Sequence, residues 1–195
     1  LLSATFTIDS NSGAQRSGTQ LEVTLVNETW CYSKPGIGDY ALLGNETCTM
    51  TSYQWVPPGK SLRLFTDNVS LTAFGPALIS GNGNSYHFYV AGSLTLEDLI
   101  LEHGKSGIVG SIVIDGSTAT TFLTRTIIRG CESGSIGGAV RMQFGTLILD
   151  GATLESNSAQ SYGGAISAIE GVIKVVSTGG TSVTRVRHNN AGGGG

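Results

Sequence analysis

The chain has 195 residues, the length of one ordinary domain, and only 13% of them are charged, about half the usual share. Gly, Ser and Thr account for 72 of the 195 residues, and the net charge is −3. A hydrophobic share of 39% excludes charge-driven disorder. The lack of a basic excess argues against nucleic acid as a partner, and the scarcity of strong helix formers against a helical bundle. No apolar run is long enough for a transmembrane helix, and the glycines lack the period of collagen.

In chain order, Ala4-Thr-Phe-Thr-Ile8 and Leu21-Glu-Val-Thr-Leu25 both alternate apolar and polar residues. Both predict strands, joined by the Gly/Ser/Asn loop of residues 10–18. A terminal strand of this kind either caps the first coil of a larger sheet or, through Phe6 and Ile8, pairs with a neighbouring molecule. Sequons stand at Asn27, Asn45 and Asn68, and Cys31 and Cys48 lie 17 residues apart in a Pro/Gly-containing stretch. Two of the sequons flank the cysteines closely, which predicts N-linked glycans, a Cys31–Cys48 disulfide and a secreted or cell-surface location. The absence of Met or a charged segment at Leu1 suits a mature product or a fragment. Pro57-Pro58-Gly59 is a sharp breaker. It divides a β-rich cap or assembly arm with a disulfide loop, residues 1–60, from a repetitive part, residues 61–195.

Four segments of that second part align, starting at Leu101, Ile128, Leu154 and Val186, with steps of 27, 26 and 32. Three residues after each start stand Gly104, Cys131, Asn157 and Asn189. Two further on come Ser106, Ser133, Ala159 and Ala191, and glycine follows four later. On this alignment Gly110-Ser-Ile-Val113 matches Gly137-Gly-Ala-Val140 and Gly163-Gly-Ala-Ile166. Upstream, Leu94-Thr-Leu96 matches Leu147-Ile-Leu149 at an offset of 53. Such pairs have period 2 and predict strands with one face inward, while glycines at fixed phase predict corners. A repeat of this length with about three short strands suits a parallel β-helix, an all-β solenoid whose coils share one core. Asn157 and Asn189 are then expected to stack as a side-chain amide ladder, with Cys131 as a small stacked residue.

The paired [LIV]-x-x-N and G-G-A-[IV] segments resemble right-handed parallel β-helix repeats of the polymorphic outer-membrane-protein (Pmp) type, with an aliphatic residue in place of Phe. The resemblance covers about residues 60–195 and implies a right-handed coil. It implies little about function, because such repeats occur in adhesins and other surface proteins alike.

Enzymes on a β-helix need clustered carboxylates and a basic residue for the substrate's acid group. The best constellation here is Glu97, Asp98, Glu102, His103 and Lys105, with Asp150 and Glu155 nearest in later coils. The order Glu102, Arg129, Glu155, Arg187 reads more simply as an outward charge ladder. His87, His103 and His188 fall at different phases and suggest no metal triad. Neither a catalytic set nor a cofactor is expected.

The given sequence stops inside its fourth repeat, so the expectation is either an ordered piece of a longer protein or an open coil end that receives another subunit. The expectation is an extracellular structural protein, a glycosylated subunit of a fibre joined head to tail to copies of itself. An adhesin-like binding module is the alternative, and a polysaccharide-active enzyme of pectate-lyase-like fold ranks below it.

Overall fold

The structure is a computed structural model. It describes residues 61–64, 69–178 and 182–193, together with the strands Ala4–Phe6, Leu21–Val23, Tyr40–Ala41, Thr47–Met50 and Tyr53–Trp55. Asn27, Asn45, Asn68, Cys31 and Ile8 lie outside the described residues, as do the side chains of Cys48 and Phe6. The chain forms two compact units, Leu1–Cys31 and Tyr32–Gly195. In the first, Ala4–Phe6 pairs antiparallel with Leu21–Val23, Ala4 opposite Val23 and Phe6 opposite Leu21.

The second unit is a parallel β-solenoid with no helix among its described residues. Each full coil runs through three sheets. A six-stranded sheet contains Phe88–Val90, Ile112–Ile114, Val140–Met142 and Ile166–Ala168. A ten-stranded sheet has two limbs. The first limb includes Thr120–Thr124, Thr146–Asp150 and Val172–Val176, and the second Ile127–Arg129, Thr153–Glu155 and Arg185–Arg187. The strand Ser93–Glu102 serves both limbs. A four-stranded sheet of two-residue strands, Lys105–Ser106, Glu132–Ser133, Ser158–Ala159 and Asn190–Ala191, completes the coil. These strands make about four turns. Parallel pairing continues back through Val69–Ser80 and Leu62–Leu64 to Thr47–Met50, Tyr53–Trp55 and Tyr40–Ala41.

Alternation along each strand builds the core. Leu94, Thr121 and Leu147 stack in register, as do Leu96, Leu123 and Leu149. Phe88, Ile112 and Val140 form a third column and Leu101, Ile128 and Leu154 a fourth, all of them buried. Each fully buried aliphatic side chain contributes about 1.5–3 kcal/mol relative to exposure. The offset of 53 between Leu94 and Leu147 is two coils of stacking.

One alignment needs correcting. Val140 pairs with Ile112, not with Val113, and Gly110 stands against Gly138, where a Cβ on Gly110 would meet the Gly138 carbonyl. The corner after Ser106 is one residue shorter than the corner after Ser133. Burial decides the register, because Ile112 and Ile114 are both fully buried and a one-residue slip would turn them outward.

Two bends lie in the left-handed region of φ. Asp98, Arg125 and Gly151, at +57°, +46° and +64°, turn the first limb into the second. His103, Gly130, Ser156 and His188, at +52°, +59°, +54° and +55°, turn the second limb toward the short sheet. An L-residue in this conformation costs about 1–2 kcal/mol. Bonds between coils hold it there: Arg125 N–H donates to the Asp150 carbonyl at 2.8 Å and His103 N–H to the Arg129 carbonyl at 3.3 Å. The longer last step arises at the first of these bends, where eight residues separate Val176 from Arg185 against two between their partners Asp150 and Thr153. Asp150 braces the insertion by accepting from the Thr178 N–H at 3.2 Å and from its hydroxyl.

Candidate assembly edge

Because Leu101, Ile128, Leu154 and Val186 stack in register, Gly104, Cys131, Asn157 and Asn189 share one corner. The amide ladder is present. Asn157 Oδ1 accepts the Cys131 N–H, while Asn157 Nδ2 donates to the Ile128 carbonyl and to Asn189 Oδ1, each at 3.0 Å. The Asn157 N–H also donates to Asn189 Oδ1 at 3.0 Å, and Asn189 Nδ2 donates to the Leu154 carbonyl at 2.9 Å. Each asparagine thus satisfies backbone groups of the coil beneath it.

At the other end of this column the rung is not an amide. A Cβ on Gly104 would fall 2.8 Å from Cε1 of His87, so the imidazole fills the place that Gly104 leaves empty. His87 is fully buried, with Nδ1 accepting from Ser111 Oγ at 2.8 Å and Nε2 donating to the Ile79 carbonyl at 3.1 Å. Burial lowers its pKa to about 4. Nothing in the local sequence marks this role, since His87 reaches the corner from the bend just before the strand Phe88–Val90. Cys131, also fully buried, has its thiol pushed up to about 12 by desolvation, the property of an inert packing residue.

Asn189 is the last described rung. Among the described residues its backbone N–H and its second Nδ2 hydrogen have no acceptor. The coil around it turns apolar side chains inward but leaves them uncovered. Ile173, Val175 and Val186 are 43%, 65% and 55% exposed, whereas their partners Leu147, Leu149 and Leu154 are at most 1% exposed. A cavity of about 440 Å³ opens there, lined by Gly164, Ala165, Ile166, Val186 and Asn189 among others. The edge therefore has the chemistry of a coil-to-coil interface: an apolar face, unpaired strand groups on one side and an unfinished amide ladder.

Glu102, Arg129, Glu155 and Arg187 stack in register as the expected outward column, but within it the ion pairs form two by two. Arg129 bonds Glu102 at 2.8 and 3.0 Å, and Arg187 bonds Glu155 at 2.7 and 2.9 Å. These are two separate pairs, each Arg reaching back to the preceding coil. Three more members of the sequence constellation, Glu97, Asp98 and Lys105, are likewise ion-paired. Arg125 bonds Asp98 through two nitrogens, both at 2.7 Å, and Glu97 at 2.6 Å. These hydrogen bonds hold the Asp98 carboxyl below its ordinary value and raise the guanidinium's. Lys105 pairs with Glu132 at 2.5 Å. Exposed pairs of this kind contribute about 0–1 kcal/mol each.

The histidine phases also need correcting. His103 and His188 occupy the same bend, but three coils apart, a separation of about 14 Å at the usual strand spacing. Among the described residues no group of three or more His, Cys, Asp or Glu is placed to hold a metal ion, and no helix is long and apolar enough to cross a membrane.

No protein-family model, no curated protein and no solved structure gives a significant match to the chain.

Proposed function

We propose that this chain is an extracellular structural protein, a glycosylated subunit of a surface fibre or filament whose members join head to tail by stacking coil on coil. One observation supports this reading: successive coils are joined by parallel strand pairing and by the Asn157–Asn189 amide rung, contacts that one coil offers the next whichever chain supplies it. An apolar face with an unpaired strand edge favours pairing with another chain, and a head-to-tail contact repeats without closing. The sequons and the paired cysteine spacing support a secreted or cell-surface setting.

Sedimentation and negative-stain imaging of the purified chain across a concentration series test the proposal. Linear assemblies that grow with concentration are expected. Ile173→Asp with Val175→Asp should abolish them and leave a folded monomer. A wild-type chain that stays monomeric at high concentration, or filaments indifferent to the double substitution, overturns the reading.

A further inference from the structure

The short sheet has an outward side that assembly does not use. Its strands are two residues long, so each coil presents one outward side chain there: Lys105, Glu132, Ser158 and Asn190 in turn. The next position in each coil is Gly107, Gly134, Gln160 or Gly192. Three of these four have no side chain, and the surface sinks into a groove of about 700 Å³ along the stack. Ser106 and Ser133 also line it, with their hydroxyls already donating to the carbonyls of Val109 and Ile136 at 2.7 and 2.9 Å.

The side chains that line this groove carry no net charge, and apart from Ala159 they are polar, set between glycines. Lys105 and Glu132 cancel each other as an ion pair. The hydroxyl of Ser158 and the amides of Gln160 and Asn190 line the groove and have no partner among the described residues. Beyond Gly192 at one end, the ring of Tyr162, 60% exposed, lies beside Gly193. No uncompensated cation is present among the described lining residues for a phosphate or an acidic polymer. No large apolar side chain is among the described lining residues to receive a lipid tail or a hydrophobic peptide.

We infer that this groove binds a neutral glycan lying lengthwise along the stack. Side-chain amides both donate and accept, as sugar hydroxyls require. An exposed tyrosine offers a flat apolar face for the C–H side of a sugar ring together with a polar edge. Three coil spacings of about 4.8 Å give a track of about 14 Å, and the cavity is of ordinary ligand-site size. The groove runs along the side of the stack, and of its lining residues Asn190 alone also borders the cavity at the coil end.

Affinity electrophoresis of the intact chain through gels containing soluble glucans, mannans or galactans tests this, with alginate and pectate as acidic comparisons. Retardation by at least one neutral polymer is expected. Gln160→Ala with Asn190→Ala should weaken binding at least tenfold. Gly107→Trp should block it, since a Cβ at Gly107 meets nothing within 4 Å. Arg141→Ala, on the six-stranded sheet, should change nothing. Melting curves of each variant separate loss of binding from loss of fold, and the amide pair decides the matter if the tryptophan variant fails to fold. Retardation by acidic polymers only, retardation by none, or binding that survives a folded Gly107→Trp overturns the inference.

Discussion

Asn157 and Asn189 sit one coil apart, and the side-chain amide of the first donates to the side-chain oxygen of the second at 3.0 Å. Asn157 also closes the Cys131 N–H and the Ile128 carbonyl beneath it. Asn157→Ala should therefore destabilise the solenoid by about 2–5 kcal/mol, because it strands buried backbone groups and does not merely lose a contact. Urea unfolding followed by circular dichroism measures this. A loss below about 1 kcal/mol would mean that water replaces the amide.

Thr121 carries the opposite prediction. It stacks between Leu94 and Leu147, is fully buried, and its hydroxyl has no partner. Thr121→Val keeps the β-branched shape and removes the orphaned group. The variant should be more stable by about 1 kcal/mol, read as a raised melting temperature.

Stability should fall in mild acid through His87. Its folded pKa is about 4, against an ordinary value of 6.5. Below pH 6.5 the unfolded chain takes up a proton that the folded chain refuses, so stability is lost as pH drops from 6.5 toward 4, by about 3 kcal/mol in total. The Ser111 hydroxyl and the Ile79 carbonyl face the ring, and the nearby His103 opposes its protonation further. His87→Gln should flatten the slope across this window. Asp98 acts at lower pH, since its depressed carboxyl loses its contribution only as pH falls through a value below the ordinary one. Chemical unfolding at a series of pH values distinguishes the two.

Leu149 and Val175 occupy the same inward position in successive coils, the first 1% exposed and the second 65%. Leu149→Ala should cost about 2–5 kcal/mol. Val175→Ala should cost less than about 0.5 kcal/mol in the isolated chain. If coils join at this edge, its cost should appear as a raised concentration threshold for assembly, measured by light scattering.

Much of the solenoid is legible in the order of residues along the chain. Period-2 strands and a recurring [LIV]-x-x-[GCN] set identify the stacking columns, and the register of Leu101, Ile128, Leu154 and Val186 is the one the repeat implies. The amide ladder comes with that register. The slip at Gly110 does not, because a glycine pattern has no facing of its own and only the burial of Ile112 and Ile114 chooses between two alignments. The left-handed bends are hidden for a related reason. Asp98, Arg125, His103 and His188 are ordinary L-residues, and at Arg125 and His103 backbone hydrogen bonds to the next coil hold a conformation that their own preferences disfavour.

What the sequence by itself determined is the repeat: its period, which residues face inward, and which of them stack as amides. Those depend on local alternation and on the need of each coil for a neighbour to bury its inner face. Tertiary structure alone decided the rest. It brought His87 into the space above Gly104, broke one charge ladder into separate pairs, and opened a polar groove where two-residue strands meet glycines. Each of these depends on which side chain from another coil reaches a given point, a distance that spacing along the chain does not encode.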